Sequence, residues 1–307
     1  MANPRKILEK YNLSPNHLLG QNFLVDENIL KKLIEAADLK KEDIVLEVGP
    51  GLGILTFELA KRAKKVIAVE KDKRLAEILE NIARENKIEN LEIIQGDILK
   101  IFPSATSTSS SVIPAPRPSV ALREGGKAEI QVDSKFTGLD SRFRGNDKYK
   151  IVANIPYYLT SHLIRTFLES ESKPQTMILM IQKEVAERLC AKPPKMSLLA
   201  ASAQFYAQPK IASSVSKKSF WPSPKVDSAI IEIKPKKEIP GEPEKFFKVL
   251  KAGFLAPRKQ LAGNLERGLK KSKQEILEVL QSLNIDPKRR AETLEVEEWV
   301  EIGNRLN

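Results

Sequence analysis

The chain reads as an α/β fold built on a doubly wound sheet, followed by a small all-α domain. Three observations predict it. Short apolar runs of strand type, Ile44–Val48, Val66–Glu70 and Leu91–Asp97, alternate with segments of helical period, and strand, helix, strand, helix, strand with right-handed crossovers makes a parallel sheet. Gly49-Pro50-Gly51-Leu52-Gly53 follows the first of these strands at once. In such folds that turn admits a nucleotide, because bare backbone lets the ligand approach and a helix N-terminus faces it. Beyond residues 234–244, a linker rich in Pro, Gly and charge, the pattern is helical only.

Taken in order, residues 4–24 are polar and loop-like. Asp26 then suits the N-cap of an amphipathic helix through Ala37, with Ile29, Leu30, Leu33 and Ile34 as its apolar stripe. After the first strand a helix runs from Ile54 to about Ala63, and after the second from Arg74 to Asn86. From Pro103 to Lys148 the period disappears into Ser, Thr, Pro, Gly and scattered charge. A compact domain rarely holds a structureless connection of that length, so 103–148 is expected to be a largely disordered insertion, with a basic flap that grips RNA as the functional alternative. The sheet resumes at Ile151–Asn154, followed by a helix over Ser161–Ser170, a strand at Met177–Ile181 and a helix from Lys183 to Cys190. Residues 196–206 are apolar and mixed in signal. Ala229–Ile233 alternates and is expected as a late strand, with antiparallel pairing open to it. Short helices starting near Phe246, Leu261, Lys273 and Val296 complete the chain. The expected domains are 1–240 and 241–307.

With 307 residues the chain can bury a full core. Its net charge of +11 is spread along the sequence, which reads first as a partner with a phosphate backbone, although many soluble proteins are basic without one. Cys190 is the only cysteine, which excludes an intramolecular disulfide and a thiolate metal cluster. The two histidines, His17 and His162, are too few for a His-rich metal site and read as surface or capping residues. The basic N-terminus lacks an apolar core segment, and no later run reaches membrane-spanning length. A monomer in a reducing cytoplasm is expected, with no metal.

The candidate chemistry lies at Asn154-Ile155-Pro156-Tyr157. A strand ending on Asn-x-Pro-Tyr presents a side-chain carbonyl, backbone carbonyls freed from the ladder by proline, and a flat ring. That set suits a planar base with an exocyclic amine: acceptors take its N–H protons while Tyr157 stacks on its face, with Phe220 a candidate for the other. The plainer reading is an Asn-Pro turn with half-buried tyrosines, and Phe220-Trp221-Pro222 reads equally as an aromatic loop packing the sheet edge. Upstream, Ile54 stands where a dinucleotide fingerprint wants its third glycine. Glu70 ends the second strand, placed to accept from both ribose hydroxyls of a nucleotide, and Asp97 ends the third, placed to meet an adenine amine. Four strand-end sites facing one crevice outweigh any one of them.

These stretches carry a resemblance. Gly20-Gln21-Asn22-Phe23-Leu24, Leu46 to Gly53, Val69-Glu70, Gly96-Asp97, Val152 to Tyr158, Gln182-Lys183-Glu184-Val185, Phe220 to Ala229, Arg258 to Leu261 and Arg289 to Leu294 together resemble the small-subunit ribosomal RNA adenine dimethyltransferases. The resemblance covers nearly the whole chain apart from the insertion. It implies a Rossmann-like class I methyltransferase sheet using S-adenosylmethionine, with immature 30S subunits and their rRNA as partners. By position it implies that Asn22 and Leu24 hold the methionine end of the cofactor, that Gly49 gives backbone room, and that Asn154 stands between cofactor and substrate. Asn154 Oδ1 and the carbonyl of Ile155 or Pro156 would hold the adenine amine. Lys225, Arg258, Lys259, Lys288, Arg289 and Arg290 would contact RNA phosphates, although helix charge solvated by water is the plain alternative. Lys192 to Ser197 lacks the Tyr-Gly-Arg of many relatives, which puts one RNA contact in doubt. Competing readings are the related large-subunit rRNA methylase, an assembly factor for which methylation is secondary, and a DNA adenine methylase.

Overall fold

A computed structural model describes residues 4–16, 19–102 and 148–306. The expected insertion, apart from Lys148, and His17 lie outside the described residues. These residues form two compact units, one of 4–102, 148–186 and 210–234, the other of 187–209 and 235–306.

The first unit is organised by a seven-stranded sheet of order β4-β3-β2-β5-β6-β9-β7. Its strands are β2 (Ile44–Val48), β3 (Lys65–Glu70), β4 (Leu91–Gln95), β5 (Tyr149–Asn154), β6 (Thr176–Gln182), β7 (Ala207–Val215) and β9 (Ser228–Pro235). β2 to β6 are mutually parallel, whereas β9 runs antiparallel to β6, pairing Gln182 with Ser228 and Met177 with Ile233. The central strands are apolar on both faces because helices cover both; Val45, Leu46, Val66, Val152 and Ile178 are fully buried. The chain winds from β2 outward to β4, then returns to place β5 on the other side of β2. That reversal opens a crevice at the carboxyl ends of β2 and β5.

The crossover helices follow their sequence signals. α2 (Glu27–Ala37) is capped by Asp26, whose carboxylate accepts from the Asn28 and Ile29 N–H groups, and its whole predicted stripe is buried. α3 (Ile54–Ala60) starts at Gly53, which sits at φ 81°. A side chain there would meet the Phe57 ring at 2.7 Å and Leu79 at 2.4 Å, so glycine suits both the turn and the close packing of the first turn of α3 against Leu79. α4 (Lys73–Glu85) is capped by Asp72.

Two elements differ from expectation. Residues Pro4–Lys10 form a helix, α1, and not a loop. Leu8, 1% exposed, packs with Phe23, Leu52, Leu75 and Ile78, so tertiary burial stabilises a segment whose own period is weak. Strand β7 carries no clear strand signal; it is an edge strand, where the proline at 209 leaves no ladder donor missing from the sheet interior. A two-stranded antiparallel pair, β1 (Phe23–Leu24) with β8 (Phe220–Trp221), ties the N-terminal segment to the chain after β7.

In the second unit the helix Leu198–Tyr206 stacks Phe205 on Phe246 of the helix Pro243–Gly253, ring centroids 4.1 Å apart. Helices Leu261–Leu269, Lys273–Ser282 and Val296–Leu306 complete it, close to the starts read from the sequence.

Candidate active site

A single cleft of about 1100 Å³, its open mouth included, lies over the carboxyl ends of β2, β3, β4 and β5. Asn22, Leu24, Gly49, Glu70, Asp97, Asn154, Ile155, Pro156, Tyr157 and Phe220 all line it. The glycine turn and the Asn-Ile-Pro-Tyr segment are immediate neighbours: a Cβ placed on Gly49 (φ 69°) would touch Pro156 at 3.5 Å.

Asn154 ends β5 beside β2, and its Nδ2 donates to the Asn22 carbonyl at 3.2 Å. That bond commits the amide nitrogen and leaves Oδ1 as the acceptor. The Pro156 carbonyl accepts from the Leu159 N–H at 2.9 Å, closing a short 3₁₀ turn over Tyr157–Leu159. That bond uses one of the two lone pairs of the Pro156 oxygen, so of the two main-chain acceptors expected here Ile155's is the less committed. Tyr157 is fixed at its far end by a 2.7 Å hydrogen bond with the Ser228 hydroxyl, and burial raises its pKa.

Glu70 is 6% exposed. Its Oε2 accepts from the Gly51 N–H at 3.0 Å and its Oε1 from the Asp72 N–H at 2.8 Å. Burial raises its pKa, while these two N–H groups oppose the shift. The carboxylate thus holds the glycine turn in shape as well as facing the cleft. Asp97 lies two residues past β4, capping the helix Ile98–Ile101 through the Leu99 N–H and pairing with Lys71 Nζ at 2.8 Å.

Several placements revise the sequence reading. Phe220 is 4% exposed and packs in the core with Leu24, Val152 and Ile230, so it forms a wall of the cleft and has no free face to sandwich a base. Leu24 buries its side chain in the same cluster, so what it presents to a ligand is backbone. Arg289 is turned inward: its guanidinium grips the Glu298 carboxylate and the Thr293 hydroxyl and carbonyl. It brackets the second unit through these bonds. Lys225, Arg258, Lys259 and Arg290 are exposed, Arg290 lying 3.9 Å from Glu292.

The cleft also holds residues not singled out from the sequence, among them Gln21, Glu47, Lys71 and Tyr158. Glu47 had a readable signal, an acid inside the otherwise apolar strand Ile44–Val48. It is 1% exposed, its Oε2 has no partner among the described residues, and burial pushes its pKa up to about 8. The folded protein therefore keeps a proton that the unfolded chain releases above about 4.5. The stability this contributes is whole below that pH and falls by roughly 1.4 kcal/mol per unit until pH reaches about 8. Glu47→Gln is expected to flatten that slope, which urea unfolding of both proteins at pH 6 and pH 8 measures.

A mixed sheet with an antiparallel strand beyond β6, a glycine turn at the topological switch and strand-end acids define a class I methyltransferase fold. The family model described as ribosomal RNA adenine dimethylase matches residues 12–307, and the chain belongs to that family. It is 42% identical over 302 residues to ribosomal RNA small subunit methyltransferase A of Dehalococcoides mccartyi, covering 97% of this chain and 91% of that protein. To the protein of the same name from a Geobacillus species, strain WCH70, it is 38% identical, covering 98% and 95%. Among solved structures, a dimethyladenosine transferase from Plasmodium falciparum matches with a TM-score of 0.69 at 25% identity, over 91% of this chain and 95% of the other. The 23S rRNA methyltransferase ErmE shares the fold, with a TM-score of 0.65 at 24% identity over 93% and 99%. Among the described residues no helix is long and apolar enough to cross a membrane.

Proposed function

We propose that the protein uses S-adenosylmethionine to dimethylate N6 of two adjacent adenosines in a hairpin loop near the 3′ end of small-subunit rRNA, on immature 30S subunits during ribosome biogenesis. The observation that carries this reading is the pair of acceptors, Asn154 Oδ1 and the Ile155 carbonyl, in the same cleft as the Gly49 turn and Glu70. The residues fit a sulfonium nucleoside. Gly49 leaves the cleft floor without a side chain, Glu47 offers an orphaned oxygen, and Glu70 and Asp97 stand where ribose hydroxyls and an adenine amine would need acceptors. Asn22 and the Leu24 backbone would hold the methionine end.

Bound S-adenosylmethionine supplies a methyl already activated on sulfur. The protein's task is alignment and charge. An adenine amine is a poor nucleophile because its lone pair is delocalised into the ring. Asn154 Oδ1 and the Ile155 carbonyl accept its two N–H protons, favour a pyramidal nitrogen and stabilise the positive charge that grows on it. Positioning provides most of the remaining gain. Tyr157 stacks on the ring, worth roughly 1–3 kcal/mol for a base, which requires an unpaired target and suits a loop. The methylated nitrogen is cationic and releases one proton to solvent, after which the neutral monomethyl amine keeps a single N–H that either acceptor can hold for the second transfer. Lys225, Arg258, Lys259 and Arg290 contact phosphates, so RNA affinity falls steeply with salt.

Purified protein incubated with labelled S-adenosylmethionine and 30S particles lacking the modification tests this reading. The expected product is dimethyladenosine at two neighbouring positions of the small-subunit RNA. Label confined to 23S rRNA or duplex DNA offered in competition would overturn it.

A further inference from the structure

One side chain that lines the cleft, Gln21, links the strand-end acids to the segment that holds the Asn154 amide. Gln21 Nε2 donates to Asp72 Oδ2 at 3.0 Å, and its Oε1 accepts from the Asn16 N–H at 2.8 Å. Asp72 in turn places its own N–H on Glu70 Oε1, and Glu70 Oε2 holds the Gly51 N–H. In the other direction Gln21 is bonded through the peptide to Asn22, whose carbonyl takes the Asn154 amide nitrogen. The Asn22 side chain is occupied locally, donating to the Gly20 carbonyl at 3.0 Å. A continuous path therefore runs from the strand-end acid to the amide that faces the substrate, and Gln21–Asp72 is its only side-chain to side-chain link.

We propose that Gln21 is a positioning residue for methyl transfer: by anchoring residues 20–22 to Asp72 it holds the Asn22 carbonyl where it fixes the orientation of the Asn154 amide. Asn154 can serve as an acceptor only while its nitrogen is engaged elsewhere. If the Asn22 carbonyl drifts, the amide is free to turn and offer N–H to an amine that needs an acceptor, a repulsive pairing. The consequence falls on the chemical step more than on cofactor binding, because the backbone N–H of Asp72 that supports Glu70 does not depend on Gln21. Asp72 has further partners in Arg74, which holds both of its oxygens, so the acid stays in place when Gln21 is changed. This inference rests on the methyltransferase reading above.

The test combines three variants, each assayed for kcat, for the Kd of S-adenosylhomocysteine by calorimetry, and for Tm. Gln21→Ala is expected to lower kcat on the order of 10- to 100-fold, with a much smaller change in Kd. Gln21→Glu sets a second carboxylate against Asp72 and should lower kcat further. Combining Gln21→Glu with Asp72→Asn restores a donor and acceptor across the same gap with polarity reversed, and keeps the helix cap because an amide oxygen can accept the Arg74 N–H. That double variant should recover most of the kcat lost by Gln21→Glu alone. Recovery of kcat without a matching change in Tm supports the positioning role. No recovery, or losses in kcat that merely track Kd or Tm across the set, would overturn it. Wild-type protein that binds S-adenosylhomocysteine yet methylates no RNA would instead count against the proposed function, which the binding arm separates from this inference.

Discussion

Asn154→Ala is expected to lower kcat for RNA methylation by roughly 10²–10³-fold, the scale of removing one preorganised group that faces developing charge. The reason is local. Oδ1 is the only side-chain acceptor that the Asn-Ile-Pro-Tyr segment presents to the cleft, and the Pro156 carbonyl already accepts from the Leu159 N–H. Truncation leaves the Ile155 carbonyl alone to hold an amine with two protons. The fold should survive, because the strand β5 pairs through backbone and the lost side-chain bond to the Asn22 carbonyl is partly exposed. Single-turnover assays with saturating cofactor measure the effect on chemistry, and calorimetry with S-adenosylhomocysteine is expected to show a far smaller change in Kd.

Glu70→Ala is expected to act on the opposite term. Its carboxylate is placed to accept from two ribose hydroxyls, and hydrogen bonds to a charged group are worth about 1.5–3 kcal/mol each. Losing them should weaken S-adenosylhomocysteine binding on the order of 10²-fold or more. The same substitution leaves the Gly51 and Asp72 N–H groups without their carboxylate, so the glycine turn loosens as well. Glu70→Gln keeps an acceptor and should fall between the two. Equal Kd values for wild type and Glu70→Ala would show that the ribose lies elsewhere.

The sheet was legible because its central strands are apolar on both faces, and a run such as Ile44–Val48 bounded by glycine admits few other readings. Elements whose stability is tertiary were not. α1 has only Ile7 and Leu8 as apolar residues, and nothing local announces that Leu8 will find Phe23 and Leu52. β7 carries Pro209 and a polar stretch because an edge strand tolerates both.

The site divides in the same way. Gly49, Glu70, Asp97 and Asn154 were readable because each ends a strand or follows its end within two residues, and strand ends in this architecture share one crevice. What each side chain is free to do was not. Only the folded chain reveals that the Pro156 carbonyl closes a turn, that Phe220 is packed in the same buried cluster as Leu24, and that Arg289 pairs with Glu298. The Gln21–Asp72 link spans 51 residues of sequence, beyond the reach of any local pattern.

A crystal structure of the protein with S-adenosylhomocysteine and adenosine tests the central claim most directly. The expected result is adenosine N6 within hydrogen-bonding distance of both Asn154 Oδ1 and the Ile155 carbonyl, with the cofactor ribose on Glu70. An adenosine amine facing solvent, or an Asn154 amide turned so that its nitrogen points into the cleft, would contradict it.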